Sequence, residues 1–178
     1  VLPKYKRLPK VLNAICSVYV SLFRGTPMVV QLLVFYYVLL PIIGVHITGV
    51  QVAMVVFGLN SGAYISVIMR SGIQSVDSGQ LEAGRAVGLS FGVTMVKIVI
   101  PQAVKNILPT LGNEFISLIK ETSVVSFVGA ADLYVAFSYI GSNSYEFMVP
   151  YLVMAMIYIV LVLIISLLIK LLERSLNR

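Results

Sequence analysis

From Pro150 to Ile169 the chain runs for twenty residues without a charge, and Lys170, Glu173 and Arg174 close the run. Crossing about 30 Å of hydrocarbon at about 1.5 Å per helical residue takes about 20 apolar residues, so this stretch has the length of a membrane span. The rest of the sequence agrees. Of its 178 residues, 59% are hydrophobic and 11% charged, where soluble domains carry roughly 25% charged residues. Lipid is the solvent this composition suits, and the fold class that follows is all-α and polytopic. Every backbone polar group of a span must be satisfied within the protein, and a helix does this by itself.

Three more segments read as spans: Pro27 to Ile43, Val50 to Met69 ending at Arg70, and Ile107 to Val128. Basic residues sort by side. Lys4, Lys6, Arg7, Lys10 and Arg24, then Arg70, Arg85, Lys97 and Lys105, then Lys170, Arg174 and Arg178 alternate with segments 41–50 and 131–149, which contain no Lys or Arg, and Lys120 is the one outlier. This is the positive-inside pattern, and four spans place both termini in the cytoplasm. The net charge of +6 is cut into pieces by apolar runs, so it does not form the continuous basic surface that nucleic acid requires. Cys16 and His46 are the single cysteine and histidine. That excludes an intrachain disulfide and makes a His-based metal site or triad implausible.

Two segments between the spans are helix-like. Val11, Leu12, Ile15, Val18, Tyr19 and Leu22 follow a 3.6-residue period, with Asn13, Ser17, Ser21 and Arg24 on another side. Residues 11–24 thus read as an amphipathic helix at the inner interface, or else as the first turns of a longer span. The loop 77–101 is long, polar and punctuated by glycine. Asp77 or Ser78 can cap a helix over Gly79–Val87 that ends at Gly88, and Ser90 can cap a second helix that Pro101 interrupts near Ile100. A long loop with structure of its own is seldom mere connection.

The remaining polar residues sit inside spans. The second span carries Gly58 and Gly62 at G-x-x-x-G spacing with Asn60, Ser61 and Tyr64 beside them. They form either a packing face with an interhelical hydrogen bond or the lining of a pathway. The third span contains Glu114, Lys120 and Glu121 together with Thr122 and Ser123. A charged residue at a helix centre costs about 2.5–3.5 kcal/mol on insertion scales, so this helix should not face lipid. Its charges are either a pair fixing helix packing or part of a substrate or ion path.

Several stretches carry a family resemblance. Glu82-Ala83-Gly84, Gly88 four residues on, and Ile98-Val99-Ile100-Pro101 resemble the E-A-A…G…I-x-L-P loop of ABC importer permeases. Phe23–Leu32, Leu59–Tyr64 and Leu111–Ser123 resemble the polar amino-acid branch of that group (histidine, glutamine or arginine type), and together these stretches cover nearly the whole chain. Gly84 departs from the pattern, standing where its second alanine would be, at a cost of about 1 kcal/mol in helix propensity. Members of the group usually carry one further N-terminal span, and this chain begins just after where that span would end, as a fragment or as a short form.

The resemblance implies a single permease domain over 1–178 of the type I ABC importer kind. Its partners would be a second permease subunit, identical or not, an ATP-binding subunit, an external substrate-binding protein and an amino-acid substrate. The setting would be the bacterial inner membrane. No G-x-x-x-x-G-K-[ST] occurs, so no cofactor is expected in this chain and ATP with Mg would be bound by the partner. The chain itself would not be an enzyme. Glu82, Ala83, Gly84, Gly88 and Pro101 are the candidate ATPase-coupling residues. For a zwitterionic substrate, Lys120 and Arg70 are candidates to meet the carboxylate, and Glu114 and Glu121 the ammonium. Asn60, Ser61, Tyr64, Thr122 and Ser123 would supply neutral hydrogen bonds. The alternative from another class is a self-sufficient secondary transporter or channel with Glu114, Lys120 and Glu121 as a proton or ion relay.

Overall fold

The computed structural model describes residues 10–176, and Lys4, Lys6, Arg7 and Arg178 lie outside the described residues. The described chain forms helices α1 (Lys10–Gly25), α2 (Met28–Ile42), α3 (Gly49–Gln74), α4 (Ser78–Ala86), α5 (Phe91–Val128), α6 (Leu133–Ser144) and α7 (Met148–Leu176). Three of them, α3, α5 and α7, are long and apolar enough to cross a membrane. A fourth crossing exists if α1 and α2, bent by 111° at their junction, count as one broken span.

The chain divides into two units. One holds residues up to Tyr64 together with Val124–Ala130; the other holds Ile65–Ser123 and Ala131 onward. The core of the first is Leu32, Val52, Ala53, Val56 and Val128, ringed by Phe35, Tyr36, Leu40 and Phe57. Gly49 makes this packing possible, because a Cβ there would run into the Val128 carbonyl. Gly58 and Gly62 do not serve that purpose. Gly58 has nothing within 4 Å of a built Cβ, and Gly62 meets only the Tyr19 hydroxyl. The small-residue spacing read from the sequence is therefore not where backbones approach.

The break between α1 and α2 leaves carbonyls of the last turn of α1 without helical partners, a costly state in an apolar setting. Side chains satisfy them. Thr26 Oγ1 donates to Leu22 O at 2.7 Å. Phe23 O accepts from Gln31 Nε2 at 2.9 Å and Asn60 Nδ2 at 3.0 Å. Asn60 Nδ2 also donates to Gln31 Oε1 at 3.1 Å. Gln31 and Asn60 are both buried, so polar residues in apolar helices here close a helix break.

In the second unit, glycines again mark close approaches. A Cβ on Gly72 would collide with Ile107, one on Gly112 would stand 2.5 Å from Ile169 Cγ2, and one on Gly141 would stand 2.5 Å from Phe147 Cδ1. Segment 131–149, marked in the sequence only by its lack of Lys and Arg, contains α6. Asp132 caps it by accepting from Val135 N at 2.7 Å, and Tyr145 ends it at φ 54°. Glu146 then caps α7, accepting from Val149 N at 3.0 Å.

The expected interruption at Pro101 is corrected. The helix is continuous from Phe91 to Val128. Its turn at Met95–Val99 is wide, with Ile100 N–H reaching Met95 O. A proline lacks its N–H and its ring clashes with the carbonyl four residues back, and a π turn relieves both problems. The same device precedes Pro41, where Phe35–Leu39 is a π turn. The second helix of the loop is thus the beginning of the third span's own helix.

Candidate functional site

The loop helix α4 is short, and its ends are closed by specific bonds. Asp77 Oδ1 accepts from Gly79 N at 2.7 Å. At the other end Gly88 N donates to Arg85 O at 3.0 Å and Leu89 N to Gly84 O at 3.1 Å, with Gly88 at φ +86°. This pair of bonds is a Schellman cap, and it needs a residue that tolerates positive φ. Of the predicted coupling residues, Glu82, Ala83, Gly88 and Pro101 are exposed and Gly84 is buried.

Gly84 faces α5. A Cβ there would run into the Thr94 side-chain methyl and stand 3.0 Å from its hydroxyl and 3.3 Å from Ile98 Cδ1. Thr94 is fully enclosed, and its hydroxyl donates to Ser90 O at 3.0 Å. The glycine that departs from the family pattern is the one on which α4 rests against α5. Two further bonds bracket the loop. Gln102 Nε2 donates to Gln80 Oε1 at 3.3 Å, and Asn106 Nδ2 donates to Ser75 Oγ at 2.9 Å. None of Gln80, Thr94, Gln102 and Asn106 stood out in the sequence. Asn106 lies four residues beyond Gln102, on the same helix face, and that spacing was the available signal.

The predicted pathway residues fall in both units. In the first, Asn60 has its amide donors committed to Phe23 O and Gln31. Ser61 is half-buried, and the Arg24 guanidinium stands 5.1 Å from the centroid of the half-buried Tyr64 ring. In the second, Arg70, Lys120 and Thr122 are exposed, while Glu114, Glu121 and Ser123 are half-buried. Glu114 and Glu121 are seven residues apart, so they share a helix face. Thr122 Oγ1 donates to Ile119 O at 2.6 Å and Ser123 Oγ to Lys120 O at 2.8 Å, where α5 tightens into a 3₁₀ end.

Lys120 and Ser123 line a cleft of about 370 Å³ with Tyr158, Ile159, Val162 and Leu163 of α7. Tyr158 stands near Ser123 and Asp132. Asp132 Oδ2 is enclosed and has no hydrogen-bond partner among the described residues. Tyr158 and Asp132 were not among the candidate site residues: Tyr158 lay in a run marked only as free of charge, and Asp132 in a segment marked only by its lack of Lys and Arg. The cleft is mostly apolar, with Lys120, Ser123 and Tyr158 as its polar lining residues. Glu114 and Glu121 are not among its lining residues.

Residues 5–178 match the family described as binding-protein-dependent transport system inner membrane component. The arginine transport system permease protein ArtQ of Bacillus subtilis (strain 168) is 41% identical over 163 residues, covering 92% of this chain and 74% of that protein. The putative glutamine transport system permease protein GlnP of Rickettsia bellii (strain RML369-C) is 38% identical over 167 residues, covering 94% and 77%. Among solved structures, the crystal structure of an amino acid ABC transporter with histidines matches at TM-score 0.88 and 42% identity, covering 94% of this chain and 78% of that one. An inward-facing MetNI methionine ABC transporter matches at TM-score 0.78 and 22% identity, and shares the fold.

Proposed function

Because the chain belongs to the family of binding-protein-dependent transport system inner membrane components, we propose that it imports a polar or charged amino acid, driven by ATPase subunits that dock on α4. The observation carrying this reading is the construction of α4. It is closed at both ends, it exposes Glu82, Ala83 and Gly88, and it is clamped by Gly84 and Gln80 to a helix that continues without a break to Glu121. A push on its exposed face reaches the polar part of α5 through one rigid element. Closure of two ATPases could in this way rock a pair of permease subunits between inward and outward access. The amino-acid substrate class is taken from relatives similar in sequence and fold.

In this reading the loop 77–101 and both termini face the cytoplasm. An external binding protein delivers substrate, and nucleotide and magnesium stay on the partner ATPase. Lys120 receives the substrate carboxylate at the cleft with Ser123 and Tyr158. Glu114 and Glu121, outside that cleft, meet ammonium groups elsewhere along the path, to which Arg70, Ser61, Tyr64 and Thr122 also contribute. Asn60 holds the α1–α2 break in place. The ion- or proton-relay alternative finds no support in the family match.

Reconstitution with the ATPase and the binding protein tests the coupling assignment. Gly88→Trp places a bulky side chain on the exposed cap and should abolish ATPase association. Gly88→Asn, which tolerates positive φ, should retain it. Retained association and uptake in Gly88→Trp would overturn the assignment. For the path, Glu114→Gln and Lys120→Met should each lower uptake at normal expression, and unchanged affinity and rate would return them to a packing role.

A further inference from the structure

Helix α1 has three sides. At about 100° per residue, Tyr19, Phe23 and Val20 fall on one arc, and Phe23 is buried while Tyr19 and Val20 are half-buried. Val11, Ile15, Val18 and Leu22 form a second arc about 100° away, with exposures of 67, 60, 65 and 49%. Lys10, Asn13, Ser17, Ser21 and Arg24 form the third arc, about 130° from the apolar one.

The first arc is pinned to α3. The Tyr19 hydroxyl donates to Leu59 O and Asn60 donates to Phe23 O at 3.0 Å, while Arg24, on the third arc, leans its exposed side chain over the Tyr64 ring. Helix α1 therefore cannot roll to hide its exposed stripe. Its axis stands at 111° to α2, so an α2 near the bilayer normal leaves α1 roughly 20° from the bilayer plane, within the usual tilt of a span. With its packed side turned toward α3, the apolar stripe and the polar arc then face away from each other, one into hydrocarbon and one toward headgroups and water.

The charge of this part of the molecule has one sign. Helix α1 contains Lys10 and Arg24 and no acidic residue, and the first acidic residue in the sequence is Asp77.

We propose that α1 is a docking element for anionic phospholipid, its Val11–Ile15–Val18–Leu22 stripe seated among acyl chains and Lys10 and Arg24 meeting lipid phosphates. Since α1 is bonded to the middle of α3, the lipid it holds bears directly on a spanning helix.

The chain contains no Trp, so an introduced tryptophan is the only one it carries. The full chain with Ile15→Trp or Ser17→Trp is reconstituted into vesicles of brominated phosphatidylglycerol or brominated phosphatidylcholine, each at equal fraction in an unbrominated background. Ile15→Trp should be quenched strongly and Ser17→Trp weakly. Phosphatidylglycerol should quench Ile15→Trp more than phosphatidylcholine does, since each basic residue near an anionic surface enriches the lipid by roughly fivefold. Adding Lys10→Gln with Arg24→Gln should bring the two lipids level. Val18→Trp, on the same stripe, serves if Ile15→Trp does not insert. A stripe tryptophan shielded from both lipids means that protein covers the stripe, either a second copy or another segment, and this overturns the proposal. Equal quenching by both lipids in the parent background overturns the anionic assignment. The measurement uses neither substrate nor nucleotide, so its outcome is independent of the import reading.

Discussion

Replacing Gly84 by alanine sets two effects against each other. Removing a glycine from a helix interior stabilises the helix by about 1 kcal/mol. The added methyl must occupy space already held by the Thr94 side chain, with Ile98 Cδ1 only 3.3 Å away, and overpacking of this kind typically costs about 1–3 kcal/mol. Thr94 cannot readily turn aside, because it is fully buried and its hydroxyl is bonded to Ser90 O. The clash should therefore fall at the upper end of that range, about 2–3 kcal/mol, and destabilise the contact between α4 and α5 by about 1–2 kcal/mol net. Thr94→Ser removes the offending methyl and keeps the hydroxyl. Alone it should cost about 1 kcal/mol for the lost buried carbon, and combined with Gly84→Ala it should restore the contact. Hydrogen exchange of the amides in residues 78–86 of the reconstituted transporter reads this directly, because about 1.4 kcal/mol is tenfold in an opening equilibrium. Gly84→Ala should speed exchange roughly 5–30-fold, and the double variant should return to within about threefold of the parent. Slower exchange in Gly84→Ala would show that propensity outweighs packing. Additive losses in the double variant would show that Thr94 is not the residue Gly84 accommodates.

Three further outcomes follow from the packing. Asn60→Leu leaves the buried Gln31 Oε1 without its donor, which should lower the stability of the purified permease by about 1–3 kcal/mol in thermal melting; an unchanged melting temperature would refute the break-closing role. Gly49→Ala drives a Cβ into the backbone carbonyl of Val128, whereas Gly58→Ala meets nothing. Melting should fall for the first, and for the second hold or rise by an amount worth up to about 1 kcal/mol. Tyr19→Phe removes the hydroxyl donated to Leu59 O and should loosen α1 against α3 without releasing it, seen as modestly faster exchange in α1 with α3 unchanged.

The parts of this fold that were legible in the sequence are those whose causes are local. Asp77 and Ser90 cap helices because a short polar side chain followed by helix-forming residues binds the amides just ahead of it. Gly88 ends α4 because an adjacent glycine admits positive φ. The long apolar runs are read from length alone. What could not be read was set across the chain. Gly58 and Gly62 have the spacing of a packing motif, yet Gly58 meets nothing and Gly62 meets only the Tyr19 hydroxyl, whereas Gly49, Gly72 and Gly112 are close approaches that only their distant neighbours Val128, Ile107 and Ile169 reveal. Asn60 was recognisable as polar, but its partners Phe23 and Gln31 are 37 and 29 residues away. Helix α6 was missed because its Gly, Ser and Asn residues favour loops locally, while Asp132 and the packing of Phe147 on Gly141 favour a helix. For the candidate site, the exposed coupling residues were visible, whereas their clamp on α5 and the neighbours of Lys120 at the cleft were not.

Pro101 was read as a stop and is instead carried within a helix, so what holds the wide turn before it is open to test. One cause is the proline itself, whose ring excludes an ordinary turn against the Lys97 carbonyl. The other is tertiary. The contacts of α4 lie on both sides of the wide turn, Thr94 before it and Gln102 after it. Converting the π turn to an α turn would rotate one side relative to the other by about 100°, one residue's worth. Gln80 could not then hold Gln102 while Gly84 covered Thr94. Pro101→Ala removes the first cause and leaves the second. Uncovering Thr94 and losing the Gln80 bond would cost about 2 kcal/mol or more, comparable to what relaxing one turn of helix returns. The two clamps acting together should keep the wide turn in place. A short cross-linker between Gln80→Cys and Gln102→Cys, in a Cys16→Ser background, should then react equally with and without Pro101→Ala, and uptake should stay within about twofold. Loss of the cross-link in Pro101→Ala, with the cross-link retained in Gly84→Ala, would show that the proline alone sets the register through which α4 acts on α5.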